Sequence, residues 1–238
     1  VRLNNFINSV VIVTSDKCYE DNYSTKGFKE GDRLGGVDPY SASKASAEIA
    51  VQAFRESFFS KTNNKIGIST VRAGNVIGGG DWSSKRLIPD SIKFLRANKS
   101  IYLRNPNFNR PWQFVLEPLK GYLLIALKQF YEPKKYSGAW NFGTEKNSTI
   151  SVKKIVKYII EFWGSGKMKT SKQKRFYEQK NLQLNIQKAK KRLNWKPIYN
   201  IKKSVQVTVD WYDQVLNYKK NPMEIINQQI EEYMNVSK

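Results

Sequence analysis

Two short stretches carry residues that could do chemistry together. In the first, the apolar run Val10-Val11-Ile12-Val13 leads into Thr14-Ser15-Asp16-Lys17, so hydroxyls, a carboxylate and an amine stand where a strand should end. Open α/β sheets bind their ligands at the carboxyl ends of their strands. In the second, Asp38-Pro39 precedes Tyr40, and Lys44 follows four residues later. Asp is a favoured N-cap and Pro a favoured first helical residue, which predicts a helix starting there with Tyr40 and Lys44 on one face. A nearby ammonium stabilises a phenolate, so a tyrosine in this position can act as a base near neutral pH. The same i, i+4 pair arises on helices with no catalytic role, and the flanking residues must decide.

The elements that would position these groups follow from periodicity. Tyr40, Lys44, Ala47, Val51, Phe54 and Phe58 recur near helical spacing and predict a helix over 39–60 with its Val and Phe positions in the core. Residues 66–72, rich in β-branched side chains, read as a buried parallel strand. It runs into Ala73-Gly74-Asn75-Val76-Ile77-Gly78-Gly79-Gly80-Asp81-Trp82, a second loop at a strand's carboxyl end; a glycine triplet alone would be a flexible turn. Arg86-Leu87-Ile88-Pro89 opens a helix to about Ala97. Arg104 and Arg110 stand beside Pro and Asn in segments read as loops, a setting that suits bidentate contacts to a diphosphate. Arg86 fits a solvated helix end, and Trp112 fits core or pocket wall.

Further helices are expected over 115–129, 151–162, 182–193, 201–218 and 222–234, a strand over 139–143, and an exposed basic loop over 167–181. Gly164-Ser165-Gly166-Lys167 lacks the spacing of a phosphate-binding P-loop.

Composition narrows the classes. A formal charge of +21 ordinarily suggests nucleic acid or an anionic membrane surface. The lysines, however, are spread along the chain and mixed with Asn and Gln, so neither partner is expected, and an anionic nucleotide substrate accounts for the charge. No apolar run reaches the roughly 18 residues of a membrane span. A single cysteine, Cys18, excludes an intramolecular disulfide and a cysteine-based zinc site, and the absence of histidine excludes histidine catalysis. A cytoplasmic protein without a metal is expected.

Tyr-x-x-x-Lys within Pro39-Tyr40-Ser41-Ala42-Ser43-Lys44, behind a strand ending in Thr-Ser-Asp-Lys, resembles the extended short-chain dehydrogenase/reductase family of NAD-dependent epimerases and dehydratases. The stretches 13–19, 34–40 and 71–82 narrow the resemblance to the CDP-glucose 4,6-dehydratases, and it extends over about residues 10–217. It implies an α/β fold, a Rossmann-like parallel sheet lacking its N-terminal half, with a smaller mixed α/β substrate domain. Residues 1–76 would be the C-terminal half of the NAD-binding domain and 77–238 mainly substrate-binding, with about 111–143 packing back on the first part. No Gly-x-Gly-x-x-Gly turn occurs to hold the cofactor pyrophosphate, so the chain is expected to be a fragment missing on the order of 100 upstream residues.

The resemblance also implies roles. NAD would be the cofactor and CDP-glucose the substrate, converted to CDP-4-keto-6-deoxyglucose and water, in a full-length family that forms homo-oligomers. Tyr40, Lys44, Ser15, Asp16 and Lys17 would be catalytic, with Lys17 taking the C5 proton, Asp16 serving the C6 oxygen and Ser15 orienting the ring. Tyr40, Lys44, Ala73 and Gly74 would face the cofactor; Asn75, Arg86, Arg104 and Arg110 the nucleotide sugar. A lysine serves as a base only where burial or neighbouring positive charge disfavours its ammonium, and Lys17 also fits a solvated loop. The chain departs from the family at Phe114, where His is more frequent, and at Asn194, where Gly is usual. Another nucleotide-sugar dehydratase or epimerase, or a catalytically inactive fragment, remain the alternative readings.

Overall fold

The computed structural model describes residues 1–3, 6–21, 27–60, 65–146, 148–170 and 183–237. Along the chain come β1 (Ser9–Val13), a 3-10 turn (Asp16–Cys18), α1 (Pro39–Phe54) with a π-helical extension (Arg55–Phe59), β2 (Gly67–Ala73) and β3 (Val76–Ile77). They are followed by α2 (Leu87–Arg96), β4 (Ile101–Leu103), β5 (Asn109–Arg110), β6 (Gln113–Phe114), α3 (Leu116–Tyr131), α4 (Pro133–Tyr136) and β7 (Gly138–Phe142). The remainder is β8 (Ile150–Ser151), α5 (Val152–Trp163), β9 (Met168–Thr170), α6 (Gln187–Leu193), α7 (Ile201–Leu216) and α8 (Pro222–Val236).

The chain divides into two compact units. The first comprises Val1–Gly74, Glu117–Lys146 and Asn181–Lys196; the second Asn75–Leu116, Asn147–Lys180 and Pro197–Lys238. The change of unit falls between Gly74 and Asn75, close to the boundary after residue 76 that the sequence suggests, and Asn181–Lys196 belongs to the first unit. The reason is packing: Ala189, Leu193 and Trp195 are buried in one cluster with Val71, Ile125, Trp140 and Phe142.

In the first unit β1, β2 and β7 form a parallel sheet in that order, with Val13 opposite Val71 and Val71 opposite Trp140. Strand alternation gives its two faces different characters. Ser69 and Val71 point toward α3, where the Ser69 hydroxyl accepts from Gln129 at 2.6 Å and Val71 joins the apolar cluster. Thr70 and Arg72 point the other way, and both bond to Glu48 of α1. Helix α6 ends at Asn194, whose φ of 52° is left-handed, the conformation its place in a Gly position demanded. Trp195 then turns inward and its indole donates to the Glu117 carbonyl at 3.0 Å.

The face of α1 that the sequence suggested as core is not the buried one. Phe54 is exposed, Val51 and Phe58 are half-buried, and the buried positions are Ser41, Ala45 and Glu48. The sheet surface beneath α1 is polar, so a carboxylate with its partners, and not an apolar stripe, seats the helix. The helix expected over 182–193 is also shorter, since Leu184 forms a bridge with Phe28 before α6 begins.

The second unit is built from strand pairs β3–β6, β4–β9 and β5–β8 packed with α2, α5, α7 and α8. Its core gathers Ile88, Ile92, Ile155, Val156, Ile159, Val205 and Val209. Trp112 belongs to this core, which settles it against a pocket wall. Within the basic segment expected as a loop, Met168–Thr170 is a strand paired in parallel with β4; residues 171–181 lie outside the described residues. Among the described residues no helix is long and apolar enough to cross a membrane.

Candidate active site

Helix α1 begins as its sequence dictates. The Asp38 carboxylate accepts from the Tyr40 and Ser41 backbone N–H groups at 3.0 and 3.1 Å and from the Ser41 hydroxyl at 2.6 Å. The Ser41 hydroxyl, its backbone N–H and then the Tyr40 N–H hold the Asp38 carboxyl below the usual aspartate range against a small opposing effect of burial, and the Lys17 ammonium adds to this. Gly36 lies so close to the start of α1 that a side chain there would overlap Ser41.

At the end of β1 the chain folds over its own carboxyl edge. The Thr14 N–H continues the ladder by donating to the Val71 carbonyl at 3.0 Å, and the Ser15 hydroxyl caps the 3-10 turn by accepting from the Lys17 N–H at 3.2 Å. That hydroxyl also donates to the Asp16 carboxylate at 3.1 Å; Ser15 and Asp16 are buried, Lys17 half-buried. The turn packs against α1. Tyr40 is 52 % exposed, which leaves its phenol accessible, and the Lys44 ammonium sits 5.7 Å from its ring centroid. Ala73 and Gly74, half-buried, close β2 at the same carboxyl edge. The structure therefore brings Ser15, Asp16, Lys17, Tyr40, Lys44, Ala73 and Gly74 into one unit at one edge of one sheet.

The other predicted site residues lie in the second unit. Asn75 is half-buried, and its carbonyl accepts from the Gln113 N–H at 2.9 Å. Arg86, at the N-cap of α2, forms an exposed ion pair with Asp81 at 3.1 Å. Arg104 is exposed just after β4, as expected for a loop. Arg110 corrects the sequence reading: it lies in strand β5, is 7 % exposed, and donates to the Asn109 carbonyl at 3.0 Å. The glycine triplet is more than a flexible turn, for a side chain at Gly79 would overlap Trp211 and Gly80 has a φ of +81°. Phe114, standing where the family more often has His, is buried against the rings of Tyr199 and Tyr233.

Sequence reasoning missed a polar network under the first-unit site. Arg72, 3 % exposed, makes a two-pronged pair with Glu48, from Nε at 2.8 Å and from its terminal nitrogen at 2.7 Å. Its other arm donates to the Tyr19 hydroxyl at 2.7 Å and the Glu30 carbonyl at 3.1 Å. The Tyr19 hydroxyl donates to Asn141 at 2.7 Å, and Thr14 and Thr70 donate to Glu48 at 2.5 and 2.7 Å. Burial raises the Glu48 carboxyl, but the Arg72 hydrogen bonds and charge, with both threonines, outweigh it and hold it below the usual range. Burial pushes the neighbouring Cys18 thiol up to about 12, an inert thiol. A signal was available: an arginine inside a fully buried strand must find a carboxylate.

The fold and the residues at its sheet edge match known proteins. The sequence profile of the GDP-mannose 4,6 dehydratase family matches residues 4–208. The chain belongs to this family. It is 40 % identical over 210 residues to the CDP-glucose 4,6-dehydratase of Salmonella typhimurium, a match covering 87 % of this chain and 58 % of that relative's length. The fold superposes on a dTDP-glucose 4,6-dehydratase from Bacillus anthracis in complex with NAD, with a TM-score of 0.72, 24 % identity, and 86 % of this chain and 61 % of that one covered. A UDP-N-acetylglucosamine 4-epimerase from Methanobrevibacter ruminantium superposes with a TM-score of 0.73 at 22 % identity, covering 90 % and 65 %. At such identities these structures establish the α/β fold with its parallel sheet.

Proposed function

We propose that the protein is a CDP-glucose 4,6-dehydratase using NAD. The observation that supports this reading is the packing of the turn at the end of β1, which holds Ser15, Asp16 and Lys17, against α1, the helix that bears Tyr40 and Lys44. An epimerase needs hydride transfer and rotation of the sugar; a 4,6-elimination needs an additional base and acid, and residues 16 and 17 supply them. The 40 % identical relative bears this activity in its name.

The residues present fit the nicotinamide-ribose end of the cofactor. The Tyr40 phenol and Lys44 amine can meet ribose hydroxyls, Ala73 and Gly74 offer backbone without bulk, and the buried Thr144 hydroxyl beyond β7 has no hydrogen-bond partner among the described residues. When bound, NAD would accept hydride from sugar C4 and return it to C6. Tyr40, acting as the phenolate base, takes the proton of the 4-hydroxyl and becomes the neutral phenol, with the Lys44 ammonium countering the phenolate's charge before the transfer. Oxidation at C4 acidifies the hydrogen at C5, which Lys17 removes and returns to C5 when C6 is reduced. Asp16 protonates the departing 6-hydroxyl as water leaves, and Ser15, already bonded to Asp16, orients the ring. From the second unit we assign Asn75, Arg86, Arg104 and Arg110 to the nucleotide sugar, with guanidinium groups meeting the diphosphate.

The test is single-turnover absorbance of NADH together with mass analysis of the sugar nucleotide. Joined to the upstream half that its longer relatives carry, the protein should release one water from CDP-glucose, and Tyr40→Phe should slow this by about 10²–10⁴-fold. Lys17→Met should form NADH on substrate and stop before water is lost. Inversion at C4 without dehydration would make the protein an epimerase, and complete dehydration by Lys17→Met would remove Lys17 from the mechanism.

A further inference from the structure

The geometry points to Glu48 and Arg72 as a positioning pair that sets the catalytic segments of the first unit in register with one another; the inference rests on the reading of Tyr40, Lys44 and the 15–17 turn given above. Glu48 lies four residues beyond Lys44 and eight beyond Tyr40, so the three fall along one side of α1. Its carboxylate is 3 % exposed and bonds to Thr70 and Arg72 of β2. One oxygen accepts from Thr14, the residue directly before Ser15, and from Arg72 Nε. The other accepts from Thr70 and from Arg72's terminal nitrogen. Arg72 directly precedes Ala73 and Gly74, and its free arm reaches Tyr19, just past the turn that holds Asp16 and Lys17.

A single ion pair thus holds the residue before the turn, the residue after it, the helix bearing Tyr40 and Lys44, and the strand that delivers Ala73 and Gly74. Apolar contact could not fix these segments as narrowly, because it carries no direction, whereas each of these bonds specifies distance and angle. Nor is the pair an obvious stability device, since replacing buried pairs by apolar residues is often neutral or better. Catalysis gains from it because small misplacement of reacting groups costs rate.

Amide hydrogen exchange on the chain without ligand reads the pair's role independently of turnover. Thr14→Val and Glu48→Gln should each speed exchange at residues 15–17 and 40–44 by about tenfold relative to Gly138–Phe142, and Thr14→Ser, which keeps the hydroxyl, should restore it. In turnover of CDP-glucose at a temperature where each variant is folded, kcat should fall about tenfold with KM unchanged, again rescued by Thr14→Ser. Should Glu48→Gln fail to fold, Thr14→Val carries the test alone. Uniform acceleration of exchange across all strands, or a Thr14→Val enzyme with unaltered kcat, would overturn the inference. Absence of turnover in the unaltered protein once the upstream half is supplied would refute the proposed function while the exchange comparison still decides the pair's role.

Discussion

Helices α1 and α5 are held in their units by opposite means. Helix α5 buries Ile155, Val156 and Ile159 completely and turns its lysines outward. Helix α1 buries Ser41, Ala45 and Glu48 while Ile49 and Phe54 are 55 % and 60 % exposed. The apolar stripe of α5 can tolerate a small slide or rotation, because dispersion and hydrophobic burial are non-directional. The Glu48 carboxylate cannot shift without losing bonds to Thr14, Thr70 and Arg72 together. The helix that carries the proposed catalytic pair is the one fixed by directional bonds.

The comparison can be broken most directly at Glu48. Glu48→Leu leaves Arg72 buried and uncompensated and should lower stability by about 3–5 kcal/mol in urea unfolding, whereas Glu48→Leu with Arg72→Met should recover most of that loss. A double variant as unstable as the single would mean that the surrounding polar atoms, and not the charge pair, carry the cost. The pH dependence has a definite sign. Because the folded Glu48 carboxyl lies below its unfolded value, its contribution is complete above the ordinary glutamate value of about 4.3 and is lost as pH falls through the folded one.

In α5 the corresponding probe is Ile159→Ala, expected to cost about 2–5 kcal/mol through lost burial and a residual cavity. Ile159→Leu should cost less than about 1.5 kcal/mol, since volume-conserving exchanges are tolerated in apolar cores. The contrast with α1 is then in shape tolerance: the near-isosteric Glu48→Gln should be poorly tolerated although it changes almost no volume. Equal tolerance of Ile159→Leu and Glu48→Gln in denaturant melts would erase the distinction.

The same contrast explains what could be read from the sequence. The start of α1 at Asp38-Pro39, the Ser151 cap of α5, the strand ends at Thr14 and Ala73 and the left-handed Asn194 all follow from local chemistry, and the structure has them. The buried face of α1 did not follow, because periodicity counts apolar residues and this face is polar. Arg110 misled because Pro and Asn neighbours suggest a loop, while its pairing with β8 is non-local. The 168–170 strand was hidden for a related reason: Met168-Lys169-Thr170 has no strand signature and exists by pairing with β4. Among the site residues, those at strand ends and at a helix start were visible as motifs; Arg72 signalled a buried charge by its place in an apolar strand, but its partner Glu48 became legible only once α1 lay over that face of β2.

The smallest expected effect sharpens the comparison at the caps, where the two helices are alike in geometry and differ in charge. Asp38 accepts from the Tyr40 and Ser41 N–H groups of α1, and Ser151 accepts from the Lys154 N–H of α5 at 3.2 Å. Asp38→Ala and Ser151→Ala should each cost about 1 kcal/mol near neutral pH, the usual worth of an N-cap. Their acid behaviour should diverge. Hydrogen bonds from Ser41 hold the Asp38 carboxyl below its unfolded value, so its contribution is present above the ordinary aspartate value of about 3.9 and fades as pH falls through the folded value. The serine hydroxyl does not titrate in this range, so the cost of Ser151→Ala should stay constant. Urea midpoints of the two variants against the unaltered protein, taken at neutral and at acid pH, would show the Asp38→Ala difference shrinking while the Ser151→Ala difference persists. A pH-independent Asp38→Ala penalty would mean that the Ser41 contacts survive without the carboxylate's charge, and α1 would then be no more dependent on ionised groups at its start than α5.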